Sequence, residues 1–154
     1  MTLEVGDKLP AFKGETDKGA ISASDLKGAN AVIYFYPKDD TPGCTIEACA
    51  FRDNLPKFTK MNAKVFGVSK DDLTSHEKFI KKFELPFTLI SDNDGSICES
   101  FGTWVEKKNY GKTYMGIERA TYLVDADGVI RHIWRNVKAA GHAEEVLEEV
   151  KKLK

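Results

Sequence analysis

The sequence predicts an α/β fold, a central mixed β-sheet flanked by helices with an N-terminal β-hairpin extension, and three observations point to it. Ala31 to Tyr36 and Lys64 to Ser69 are continuous runs rich in β-branched and aromatic residues, the pattern of strands covered on both faces. Each is followed by a helical stretch, so strand and helix alternate. The chain then closes with two strand-like segments around Asp125-Ala-Asp-Gly128 and an amphipathic terminal segment. The 154 residues make one ordinary domain, 1–154, long enough to bury roughly two-thirds of its unfolded surface.

In chain order, weak alternation around Phe12 and Ile21 with a turn at Thr16-Asp-Lys-Gly19 predicts a small hairpin, after which Ser24 is expected to cap a short helical turn. Pro37 ends the pairing of the 31–36 strand. The Thr41-Pro-Gly43 corner opens a helix, with Thr41 as N-cap and Pro42 at the first helical position, where a missing N–H costs nothing. After the 64–69 strand, Leu73, Phe79, Ile80 and Phe83 give the segment 71–83 one apolar face, and Glu84-Leu85-Pro86 ends it. Phe87 to Ile90 reads as a short strand, Asp92-Asn-Asp-Gly95 as a turn and 97–101 as a short helix. The stretch 106–116 is polar, glycine-punctuated and without a clean period, and is expected to be an exposed loop at the rim of the site. Segments 120–124 and 129–134 form the closing hairpin, and 143–153 is a helix with Val146, Leu147, Val150 and Leu153 inward. A β-α-β unit followed by a β-hairpin and a final helix is the plan of a thioredoxin-like sheet.

A formal net charge of −1, with 42% apolar and 31% charged residues, leaves no electrostatic footprint for nucleic acid or an anionic membrane. No apolar run reaches the length of a membrane span, and the start MTLEVGDKLPAF lacks a secretory pattern, so a cytoplasmic protein or a mature organellar form is expected. Three cysteines, an odd number, argue against a static disulfide framework and for redox-active thiols in a reducing compartment.

The chemistry concentrates in Pro37-Lys-Asp-Asp-Thr41-Pro-Gly-Cys44-Thr-Ile-Glu47-Ala-Cys49. Cys44 lies in the first turn of the expected helix, among unpaired N–H groups and the positive end of the dipole, conditions that suit an anionic nucleophilic sulfur. Cys49, about a turn and a half further in, has no such help and is expected to be shielded by apolar neighbours. Cleaving a peroxide O–O bond with a thiolate places negative charge on the leaving oxygen, so a fitting site adds hydrogen-bond donors. Thr41, the Cys44 amide and a guanidinium would supply them. Arg119, at the entrance of the 120–124 strand, is the preferred guanidinium; Arg52 lies eight residues past Cys44 and projects more than two turns away.

The spacing Pro37-x-x-x-Thr41-x-x-Cys44 resembles the active-site signature of the peroxiredoxins. Cys49 five residues on resembles the bacterioferritin comigratory protein, or peroxiredoxin Q, branch. The resemblance runs from Val5-Gly-Asp-Lys-Leu-Pro10 through Tyr34-Phe-Tyr-Pro37 to Arg119-Ala-Thr-Tyr-Leu-Val-Asp125 and Gly128. It implies that Cys44 is the peroxidatic and Cys49 the resolving cysteine, that Thr41 and Arg119 hold thiolate and peroxide, that Pro37 shields the thiolate and that Glu47 orients the arginine. It further implies reduction of hydrogen peroxide and organic hydroperoxides through a Cys44 sulfenic acid and an intramolecular Cys44–Cys49 disulfide, renewed by thioredoxin or a similar dithiol protein, with no bound cofactor. Because both thiols lie in one chain, a monomer is expected. Five helical residues leave two Cα atoms roughly 8 to 9 Å apart on divergent sides, beyond the about 7 Å a disulfide tolerates, so the first turns must unwind for the thiols to bond, with Pro56 weakening the ladder downstream.

Competing readings remain on the residues alone. A thiol–disulfide oxidoreductase is disfavoured because such proteins use Cys-x-x-Cys; a redox sensor or chaperone would use the same switch without turnover. Glu47 reads equally well as an ordinary first-turn charge, and Arg119 as the partner of a surface carboxylate. Cys98 reads as a structural thiol. The three cysteines with His76, His132 and His142 lack zinc-site spacing, and the two Asp-rich turns do not continue into calcium loops.

Overall fold

The computed structural model describes residues 3–153. Strands β1 (Lys13–Thr16) and β2 (Gly19–Ser22) form the entry hairpin, followed by a single 3-10 turn, Ala23–Leu26. Its N-cap is Ser22 rather than Ser24, because the Asp25 carboxylate reaches back to accept from the Ser22 amide at 2.8 Å and closes a capping box. Next come β3 (Asn30–Phe35), α1 (Pro42–Lys60), β4 (Ala63–Ser69), α2 (Leu73–Phe83), β5 (Thr88–Ser91) and α3 (Ser96–Phe101). The chain ends with β6 (Trp104–Asn109), β7 (Lys112–Ile117), β8 (Ala120–Val124), β9 (Ile130–Trp134) and α4 (His142–Lys151).

Seven strands make one mixed sheet in the order β2-β1-β5-β4-β3-β8-β9. β3, β4 and β5 run parallel, while β8 and β9 add on one side and the entry hairpin on the other, both antiparallel. Alternation along β3 divides the interior. Val32, Tyr34 and Tyr36 face α1, α2 and α4, packing with Phe51, Phe58, Phe79 and Val146. Ala31, Ile33 and Phe35 face the opposite layer with Ile97, Phe101 and Tyr122. The α1 N-terminus therefore rests on the centre of the sheet, and Cys44 belongs to the first of these cores.

The expectation of a loop over 106–116 is corrected. β6 and β7 pair antiparallel as a separate two-stranded ribbon, with Asn109 opposite Lys112 across a two-residue turn. Tyr110 and Gly111 have φ of 52° and 78°, the left-handed pair that a type I′ hairpin turn requires. Only the base of the ribbon, at Ile117 and Trp104, packs on the core, and the outer residues are exposed or half-buried and mostly polar, so no apolar alternation marks its period. Pro56 breaks the ladder at one place without ending the helix. It lies inside α1, which continues to Lys60; the missing N–H only leaves the Arg52 carbonyl without its helical donor.

Candidate active site

The strand-to-helix loop Pro37 to Thr41 sets the position of α1. Thr41 is the N-cap by backbone, φ −92° and ψ 157°, but its hydroxyl makes no cap bond; it donates instead to the Lys38 carbonyl at 3.0 Å. Pro42 takes the first helical position, Gly43 the second and Cys44 the third. Gly43 leaves room for the guanidinium: a Cβ there would lie 3.1 Å from Arg119 Nη2, close enough to push it by a few tenths of an ångström.

Arg119 enters from the junction of β7 and β8, 75 residues away in sequence. Its Nη2 donates to Cys44 Sγ at 3.3 Å and its Nη1 to Glu47 Oε1 at 2.8 Å. Cys44 is 1% exposed and Glu47 0%, so one guanidinium bridges two buried acceptors that share a helix face three residues apart. Burial pushes the Glu47 carboxyl up to about 7, against the opposing pull of Arg119. Burial also works against the Arg119 charge, but Glu47 and Cys44 outweigh it and hold Arg119 above its ordinary value. Among the described residues, Glu47 Oε2 and the Tyr34 hydroxyl have no hydrogen-bond partner; both are buried in or beside this cluster. The Arg119 backbone is fixed by its carbonyl, which accepts from the Val137 amide at 2.9 Å, and by the preceding Glu118, held through two 2.9 Å bonds from Arg135.

Of the residues expected in the site, Cys44, Glu47 and Arg119 meet directly. Cys49 is half-buried on a different face of α1, nearer Arg52, and is a free thiol like Cys44 and Cys98. Arg52 stays out of the cluster, donating to Asp53 at 3.0 Å and to the Phe83 carbonyl at 2.7 Å. Pro37 is exposed at the lip of a cleft of about 380 Å³ lined by Lys70, Trp104, Lys107 and residues Tyr114 to Ile117. Lys107, on β6, was not anticipated. Burial and the Arg119 charge depress its ammonium, and it lies close enough to feel Cys44 as well, making it a second cation over the site. The signal that could have found it is the Tyr-Gly turn at 110–111, which identifies the hairpin carrying Lys107 inward.

A reduced thiol in the first turn of a helix, held by a guanidinium and packed against a thioredoxin-like sheet, is the arrangement expected of a cysteine-based redox protein. The chain belongs to the AhpC/TSA family, which matches residues 5–133, and it is a peroxiredoxin of the Bcp/peroxiredoxin Q type, a thiol-dependent peroxidase. The Bcp relative of Coxiella burnetii is 51% identical over 148 residues, covering 96% of this chain and 98% of the other. A peroxiredoxin Q mutant structure from Xylella fastidiosa is 38% identical, with a TM-score of 0.93 and coverage of 99% and 98%. The bacterioferritin comigratory protein of Xanthomonas campestris, whose alkyl peroxide reduction activity was studied in trapped intermediate and ligand complexes, is 40% identical at a TM-score of 0.89, covering 95% and 98%. No helix among the described residues is long and apolar enough to cross a membrane.

Proposed function

We propose that this protein reduces hydrogen peroxide and alkyl hydroperoxides through Cys44 and resolves the product with Cys49. The observation that carries the reading is the 3.3 Å contact from Arg119 Nη2 to Cys44 Sγ, with Glu47 bracing the same guanidinium. In the first step the Cys44 thiolate attacks the distal peroxide oxygen; the S–O bond forms as O–O breaks, and the departing alkoxide or hydroxide takes a proton, leaving Cys44 sulfenic acid and an alcohol or water. Arg119, the Cys44 amide and, after rotating away from Lys38, the Thr41 hydroxyl stabilise the developing charge. Pro37 limits water at the lip of the cleft.

In the second step the Cys49 thiolate attacks the sulfenic sulfur, forming the disulfide and releasing hydroxide, which is protonated to water. Cys49 points away from Cys44 along α1, so the first turns of the helix unwind before this bond forms. A thioredoxin-like dithiol then reduces the disulfide and is itself oxidised. The cycle runs within one chain, consistent with a monomer in the cytoplasm, and uses no cofactor. Mass spectrometry after one equivalent of peroxide tests it: a Cys44–Cys49 linkage is expected in the native chain, and sulfenic acid or its overoxidised forms in Cys49→Ser. A Cys44→Ser protein with undiminished turnover would overturn the reading.

A further inference from the structure

A second buried polar cluster lies immediately upstream of the redox helix and has no part in the chemistry above. Asp39, in the loop between β3 and α1, is buried and accepts three side-chain hydrogen bonds: from the Tyr36 hydroxyl at 2.5 Å, the Ser75 hydroxyl at 2.8 Å and His76 Nδ1 at 2.7 Å. Its amide donates to Asp71 Oδ2 at 2.8 Å. His76 is 1% exposed, and its other ring nitrogen, Nε2, faces the Ile90 carbonyl at 3.0 Å. Both ring nitrogens thus face acceptors. A neutral imidazole donates only once, so only the protonated ring satisfies both neighbours.

The cluster joins the loop that leads into Cys44 to the first turns of α2. At the far end of α2, the Phe83 carbonyl receives Arg52, three residues past Cys49. One helix therefore grips the redox segment on both flanks, before Cys44 and after Cys49, and leaves residues 40–51 between the two grips. We propose that Asp39 and His76 are positioning residues that keep the entry to α1 docked on α2, so that Cys44 stays beside Arg119 and unwinding is confined to the segment after Asp39.

The grip depends on pH. Burial disfavours charge on His76, but the Asp39 carboxylate and the Ile90 carbonyl outweigh it and raise its titration above the ordinary value. The other groups facing it are Asp71 from the β4–α2 loop, Tyr36 from β3, which burial keeps neutral, and Ser75 from α2 itself. For a group whose folded-state titration is raised, the stabilisation is complete below about pH 6.5 and is lost as pH rises through the folded value. Alkaline conditions therefore release the loop, slow peroxide attack and favour the unwound form.

This proposal rests on Cys44 being the attacking thiol. Stopped-flow oxidation of the reduced full-length protein by hydrogen peroxide, from pH 5.5 to 9 in a Cys49→Ser background, compares the native Asp39 with Asp39→Asn. Attack is expected to be about tenfold slower in the variant near pH 6, with the ratio shrinking toward one as pH rises. In the protein retaining Cys49, Asp39→Asn should also lower the overoxidised fraction per turnover about threefold, because the unwound form resolves faster. Equal rates, or a ratio independent of pH, would overturn the positioning role while leaving Cys44 chemistry standing; peroxide consumption surviving Cys44→Ser would remove both. Should Asp39→Asn not fold, hydrogen exchange of the native protein decides: after correction for intrinsic rates, the amides of 38–45 other than Pro42 should exchange faster at pH 8.5 than at pH 6 while those of 57–60 do not, and uniform behaviour overturns the proposal.

Discussion

Cys44 and Cys98 occupy equivalent positions on two different helices. Each is the third residue of its helix, Cys44 in α1 and Cys98 in α3, and they are 1% and 0% exposed. What differs is the charge beside the sulfur. Cys44 receives a hydrogen bond from the Arg119 guanidinium, whereas Cys98 sits against the Asp92 carboxylate, which accepts the Ile97 and Cys98 amides at 2.9 and 2.8 Å. Burial, followed by the Asp92 interaction, pushes the Cys98 thiol far up. The first turn of a helix is thus not sufficient to make a nucleophile. In α3 its amides are already taken by a side chain, and the charged group nearest the sulfur is a carboxylate instead of a guanidinium.

The most drastic break of this comparison is to remove each sulfur in turn. Cys44→Ser should abolish peroxidase turnover, a loss of several decades, while Cys98→Ala should keep it within about twofold and lower stability by about 1 kcal/mol for the small cavity. A coupled assay with a dithiol reductant and a denaturant melt read the two quantities. Next in size is the charge itself. Arg119→Lys keeps one positive charge but cannot bridge Sγ and Glu47 Oε1 together, and is expected to slow attack about 100-fold, measured by stopped-flow at saturating reductant.

A smaller effect, with a distinctive pH dependence, follows from Glu47. Its carboxyl is raised to about 7, so relative to the unfolded chain its contribution is favourable at low pH and is lost as pH climbs from about 4.5 through 7. Above that range the buried charge costs about 3 kcal/mol. Glu47→Gln should therefore raise the melting temperature at pH 8 and change it little at pH 4.5, while slowing attack about tenfold because an amide holds Arg119 less firmly. A melting-temperature gain independent of pH would show that the charge, and not packing, had been misassigned.

The two thiols also show what the sequence made legible and what it did not. Strands β3 and β4 were visible because their middles, Ala31 to Phe35 and Val65 to Val68, are apolar and buried on both faces, and α2 because its apolar residues keep a helical period. Cys44 was visible from its place in the first turn of a helix and Arg119 because it stands at the start of a readable strand, whereas Glu47 was legible only through the resemblance to the peroxiredoxins. The β6–β7 ribbon and its Lys107 were hidden, since its outer residues are mostly polar and only its base packs on the core, which leaves no periodic trace. The Asp39–His76 pair was hidden for another reason: its members lie 37 positions apart and meet only through the packing of α2 on the sheet, a contact without local signature. The field around Cys98 escaped in the same way, because Asp92 reads as a turn residue until the fold directs its carboxylate into the first turn of α3.

The finest test of the comparison leaves both sulfurs in place and neutralises the carboxylate. Asp92→Asn retains an acceptor for one of the two amides and removes the negative charge at Cys98, so α3 should lose about 1 kcal/mol of capping, read as a small drop in denaturation midpoint. The Cys98 thiol should become somewhat easier to ionise but remain unreactive, because burial is the larger cause of its shift and is unchanged. Its reaction with a thiol reagent in the folded protein should stay limited by unfolding, with a rate that follows global stability across denaturant. If instead Cys98 in Asp92→Asn reacted as fast as an exposed cysteine, the carboxylate alone would account for the silence of this thiol, and the contrast with Cys44 would reduce to a single charge.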